Sequence, residues 1–83
     1  MQKFNVPIYI ANITLEIKEK TGRVTTVSRK RKINDVIIKG YSIPDMIRRK
    51  KETFKKNLNL NAKESIGEIE IELLSQHGYG VDD

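Results

Sequence analysis

Eighty-three residues leave room for one domain, and a content of 37% hydrophobic and 6% aromatic residues requires a core of Ile, Leu and Val. The absence of cysteine excludes disulfides, thiolate metal sites and cysteine nucleophiles. The net charge of +5 is unevenly spread, because residues 1–63 hold all 16 Lys/Arg against 5 Asp/Glu, whereas residues 64–83 hold 6 acids and no Lys/Arg.

The first apolar stretch, "MQKFNVPIYIANITLEI", is interrupted by Asn5, Pro7 and Asn12 and is too short to span a membrane. A soluble, cytoplasmic chain with no membrane partner is the expectation. Phe4, Val6, Ile8 and Ile10 alternate on even positions, then Ile13, Leu15 and Ile17 on odd ones. Side chains of a strand have period two, so the apolar face changes sides across Ala11 and Asn12, which calls for a bulge or bend. Pro7 has no amide donor and points to a sheet edge or strand start. Residues 19–23, "EKTGR", read as a tight hairpin turn with Gly22 in the left-handed position of a three-residue loop. That turn sets Leu15 opposite Val27 and Ile17 opposite Thr25.

The second strand runs from Val24 into "SRKRKI", four consecutive cations at Arg29, Lys30, Arg31 and Lys32. Asn34 and Asp35 signal a turn or bulge, and residues 36–38 a further short strand before Gly40. A helix is predicted from about Ile43 to Asn57. Ser42 can cap it, Pro44 suits its first turn, and Asp45 complements the positive end of its dipole. Ile43, Met46, Ile47, Phe54 and Leu58 share one face, and Lys50 falls among them. Snorkelling along its methylene stem is the first explanation for that lysine. Ser65 and Glu68 mimic a capping box, but Ile69, Ile71 and Leu73 alternate with Glu68, Glu70 and Glu72. Period two prevails, and the segment is a strand.

The expected fold class is therefore α+β. A small antiparallel or mixed sheet, made of the N-terminal hairpin, a short strand and the C-terminal strand, packs on one helix in the order β-β-(β)-α-β. Residues 1–76 form the domain, and residues 77–83 form a polar C-terminal tail. No motif names a family.

Two readings compete for the cationic run. By parity Arg29 and Arg31 fall on the core side and Lys30 and Lys32 outside; guanidinium groups do not enter an apolar core unpaired. The strand must outrun the core there, or a bulge must turn the pair outward. The structural reading places the last strand beside the second, with Lys30 and Lys32 opposite Glu68, Glu70 and Glu72. The functional reading joins Arg29, Lys30, Arg31 and Lys32 to Arg48, Arg49, Lys55 and Lys56 of the helix as a grip on nucleic-acid phosphates. No stacking motif, helix-turn-helix or zinc finger supplies base specificity, so contact with DNA or RNA would be non-specific and salt-sensitive.

Catalytic chemistry has little support. His77 is the sole histidine, and Asp82 and Asp83 beside it fall short of a metal site. Ser75 and His77 lack an orienting third group. No phosphate loop is present, and no cofactor is implied. The alternative to phosphate binding is a protein-interaction or assembly subunit. It would dock a partner through an edge strand, the Glu68, Glu70 and Glu72 face and Tyr79. Inhibition of a host protein is a special case of it. A composition rich in Ile, Lys and Asn fits an AT-rich phage or mobile element, and a chain this short gains from homo-oligomerisation.

Overall fold

A computed structural model describes residues 4–82. The chain forms β1 (Phe4–Lys20), β2 (Thr26–Lys39), α1 (Ile43–Asn57) and β3 (Glu64–Asp82). The three strands make one antiparallel sheet in the order β2-β1-β3. The fold class is α+β, as expected. No helix among the described residues is long and apolar enough to cross a membrane.

The helix forms where its local signals place it. Ser42 is extended and its hydroxyl accepts the Asp45 N–H at 3.3 Å, while Asp45 accepts the Tyr41 N–H at 3.0 Å. The first bond satisfies an amide that the first turn leaves without a partner, and the second ties Asp45 back to the residue before the cap. Lys55 and Lys56 close the last turn, at the negative end of the dipole. Met46 is buried, with Ile47, Phe54 and Leu58 packed beside it against Ala11, Ile13, Leu15, Ile17, Ile38 and Ile69. The helix lies chiefly over the β1 and β3 side of the sheet.

Burial along β1 changes parity as the sequence predicts, from Val6 to Ala11, Ile13, Leu15 and Ile17. The pairing with β2 slips between Ala11 and Ile13, and the extra residue lies on β2 near Asp35, whose φ is 55°. Asp tolerates that left-handed conformation better than most residues. Asn12 fixes the bulge from the middle strand. Its carbonyl oxygen accepts the Asp35 N–H at 3.2 Å, and its amide donates to Glu72 at 3.0 Å. The bulge lets residues 36–38 continue β2 rather than form a separate strand.

Four details correct the sequence reading. The hairpin closes with Thr21 donating to the Thr25 carbonyl at 3.0 Å, and Gly22 does not take the left-handed conformation. The register places Leu15 opposite Arg31 and Ile17 opposite Arg29, four residues beyond the expected partners. An even slip leaves every face unchanged, so the turn alone cannot fix the register. Ile33 opposite Ile13 and Val36 opposite Ala11 fix it from the apolar end, leaving Val24 96% exposed in the loop. Pro7, expected at a sheet edge or strand start, lies near the start of β1, but β1 is the central strand. Pairing with β2 begins only at Ile8, so the side of Pro7 that lacks a donor faces past the end of β2. Its carbonyl on that side accepts the Gly40 N–H at 3.2 Å.

The fourth concerns the C-terminus. His77–Asp82, set apart in the sequence as a tail, are the end of β3, and Tyr79–Asp82 pair with Phe4–Pro7. Gly78, at φ 70°, sits where the register slips between Pro7 and Tyr9. A left-handed glycine in a bulge interrupts the alternation and so imitates a loop in the sequence.

Gly40 has a steric role. A Cβ there would overlap Cγ of buried Met46 and lie 3.2 Å from its backbone nitrogen. Gly40→Ala is expected to cost about 1–2 kcal/mol, overpacking outweighing the entropy removed from the unfolded chain. A urea unfolding midpoint equal to that of the native chain would contradict this.

Candidate nucleic-acid interface

The strand order separates the charges that the structural reading would pair. β1 lies between β2 and β3, so Lys30 and Lys32 are not opposite Glu68, Glu70 or Glu72. Lys30 pairs across to Glu16 and Lys32 to Thr14; Thr14 in turn pairs with Glu70 and Asn12 with Glu72. Lys32, Glu70 and Glu72 ring a shallow depression over Asn12 and Thr14 on the face away from the helix. Glu16 does not meet Lys30 within 4 Å; it turns to the bulge on β3, accepting the Glu68 N–H at 3.2 Å. A Cβ on Gly67 would collide with that carboxylate.

Arg29 and Arg31 keep the helix-side parity, opposite buried Ile17 and Leu15, and are nevertheless exposed. No bulge turns them outward. β2 is an edge strand, and the helix does not cover this stretch of it. The strand outruns the core sideways. Arg29 crosses to Glu64 on β3 with a 2.9 Å ion pair. Among the described residues Lys30, Arg31 and Lys32 have no carboxylate within 4 Å.

The helix cations divide in the same way. Arg48 bonds Asp45 at 2.7 Å, and Arg49 bonds Asp45 at 3.0 Å. Arg49 also grips Asp82 through two hydrogen bonds of 2.9 and 2.8 Å, and its guanidinium lies 5.7 Å from the Tyr41 ring centroid. This pair fastens the first half of α1 to the end of β3, so Arg48 and Arg49 are structural cations rather than free ones. Lys55 and Lys56 are exposed and have no ion pair among the described residues.

The clamp makes stability pH-dependent. Hydrogen bonds from Arg49 hold the Asp82 carboxyl down at about 2, and the Tyr41 N–H lowers Asp45. A carboxylate with a depressed folded pKa contributes stability above its unfolded value, near 4, and loses it as pH falls through the folded value. The melting temperature is expected to fall between about pH 4 and pH 2. Asp82→Asn should flatten that decline in a thermal melt series. An unchanged acid limb would show that the clamp is not what titrates.

A cleft of about 510 Å³ opens between the end of β2 and the outer wall of α1. Its floor is Ile8, Ile37 and Ile38, and its rim carries Lys39, Lys50 and Lys56 against one acid, Glu52. Ile37 is 70% exposed. Lys50, which the helix wheel places on the apolar side, points into this cleft, where burial lowers the pKa of its ammonium. Sequence reasoning found the cations of α1 but not the cleft, because nothing local says beside which strand the helix will lie.

The aromatic side chains are arranged unfavourably for stacking. Tyr9 packs against the core, and Tyr41, 52% exposed, has the Arg49 guanidinium 5.7 Å from its ring centroid. Tyr79 is 65% exposed and paired opposite Pro7, on the acidic strand β3 rather than the basic one. Strand periodicity brings the Ser75 hydroxyl within 2.8 Å of His77 Nε2, an approach the sequence reading did not expect. Both residues are exposed, and no acid is hydrogen-bonded to that ring among the described residues. No three His, Asp or Glu side chains gather as metal ligands among the described residues, and Asp83 lies outside them.

Comparison with family models, with curated proteins and with solved structures finds no match to this chain.

Proposed function

We propose that this chain is a small, non-enzymatic binding module that holds the phosphate backbone of nucleic acid without base specificity. The interface runs along the free edge of β2 and the cleft wall of α1. The observation that carries the reading is the cation surplus left after every intramolecular ion pair is made. β2 and α1 with their connector, residues 26–57, carry a net +8, whereas β3 carries −5 on the opposite edge. Arg29, Arg48 and Arg49 are engaged within the fold. Lys30, Arg31, Lys32, Lys39, Lys50, Lys51, Lys55 and Lys56 have no ion pair among the described residues and remain for an anionic partner.

A polyanion suits this geometry better than a small ligand does. The cations are spread along a 14-residue strand and a 15-residue helix rather than converging on a point. Tyr41, the exposed aromatic beside that surface among the described residues, already has the Arg49 guanidinium 5.7 Å from its ring centroid, which favours backbone contacts. Protein docking is the second reading. It belongs to the β3 edge, where Glu68, Glu70 and Tyr79 are exposed.

The test is fluorescence anisotropy of labelled single- and double-stranded DNA and RNA, titrated at several salt concentrations. Binding should weaken steeply with salt, with a log–log slope of several units, and should be alike across base sequences. No binding at low salt would sink the proposal.

A further inference from the structure

The two free edges of the sheet carry opposite charge on one face. Lys30 and Lys32 lie on β2 in line with Glu16 and Thr14 of β1. Glu70 continues the Thr14 row on β3, and Glu68 follows the bulge held by Glu16. Lys30, Lys32, Glu68 and Glu70 are exposed and have no ion pair among the described residues. These charges lie in the stretches where pairing with β1 is regular, 26–33 on β2 and 69–73 on β3, or directly beside them.

The pattern discriminates between ways of extending the sheet. A symmetric β2–β2 contact would set Lys30, Arg31 and Lys32 against their own copies. A symmetric β3–β3 contact would do the same with Glu68, Glu70 and Glu72. Like charges directly opposite each other are destabilising, so both isologous contacts are disfavoured. The contact of β3 with a copy's β2 has matched signs. Both strands run antiparallel to β1 and hence parallel to each other. A parallel contact keeps all helices on one side and the charged rows on the other; turning the copy over would put its lysines on the wrong face.

We infer that this protein associates with further copies of itself head to tail, the β2 edge of one protomer beside the β3 edge of the next. In the register that continues the rows, Lys32 of each copy stands beside Glu70 of its neighbour and Lys30 beside Glu68. A heterologous contact leaves one basic and one acidic edge free at the ends, so the assembly is a ring or an open ribbon. With a twist of roughly 20–25° per strand, a three-stranded protomer turns the ribbon by about 60–75°. The inference goes beyond phosphate binding and draws on the same β2 edge: in the assembly Lys30 and Lys32 are taken by Glu68 and Glu70 of the neighbour, and Arg31, Lys50 and Lys56 stay on the helix side for phosphate.

Sedimentation velocity of nucleic-acid-free protein over a concentration series tests it, with two variants of opposite sign. At low salt the native chain should grow in mass with concentration and dissociate as salt is raised. Lys30→Glu/Lys32→Glu has two acidic edges, and Glu68→Lys/Glu70→Lys has two basic ones. Each should weaken self-association by about tenfold or more, and an equimolar mixture should restore it. Circular dichroism establishes folding. If a reversal unfolds, Lys30→Gln/Lys32→Gln serves instead, with an expected weakening of about threefold. A native chain that stays monomeric at low salt, an oligomer indifferent to the substitutions, or a mixture that fails to reassociate would each overturn the inference.

Discussion

Leu15→Ala is expected to remove about 3 kcal/mol of stability, a large share of the roughly 4–12 kcal/mol available to a domain of this size. Leu15 is fully buried on the central strand, with Ile69 beside it on one side and Arg31 on the other. Its neighbours along the strand are Ile13 and Ile17, both β-branched and both buried. Stiff χ1 angles leave them little freedom to close the space that a deleted isobutyl group vacates. Arg31 cannot fill it either, because its guanidinium must stay in water. The fall in melting temperature should be about 15 °C. Val24→Ala, at a 96% exposed loop position, is the control and should change stability by less than about 0.5 kcal/mol. A Leu15→Ala chain that melts within a few degrees of the native one would mean that the core does not close around this residue.

What could be read from the sequence followed how local its cause was. The α1 bounds depend on Ser42, Pro44, Asp45 and a 3.6-residue period, all within a few residues of one another, and they are read without error. The parity change in β1 is equally local, a matter of which positions are apolar. The hairpin register is not. The parity of "SRKRKI" is the same in the expected register and in the observed one, four residues away, so nothing near the turn distinguishes them. Ile13 and Ile33 decide it from beyond the charges. Strand order is less local still. Nothing local says whether β3 pairs with β2 or with β1, and the separation of the lysines from the Glu68, Glu70 and Glu72 stripe depends on β3 choosing the far side of β1.

The candidate site was legible in composition and illegible in assignment. Counting cations found the basic surface, but Arg29, Arg48 and Arg49 look no different in sequence from Arg31 and Lys56. Their partners are Glu64, Asp45 and Asp82, two of them far along the chain. Lys50 was the one signal visible beforehand, a cation on an apolar helix face, and it marks the cleft.

That division of labour among the cations yields a sharp prediction. Arg31→Gln/Lys56→Gln should weaken binding to every DNA or RNA sequence alike and lower the log–log salt slope by about 2, one for each phosphate no longer neutralised. Between low and physiological salt the affinity should drop by about tenfold to a hundredfold. Neither side chain has a carboxylate partner among the described residues, so the melting temperature should hardly move. Arg29→Gln should behave in the opposite way. It breaks the Glu64 pair, and with 62% of the arginine side chain exposed the cost to stability should stay below about 1 kcal/mol. Its effect on the salt slope should be small, because that guanidinium already has an anion. Equal slopes for the native chain and the double variant would detach phosphate binding from β2 and α1, whatever the affinity. A slope change with Arg29→Gln as large as with Arg31→Gln would show that the Glu64 pair opens to admit phosphate, and that the interface includes the whole cationic run.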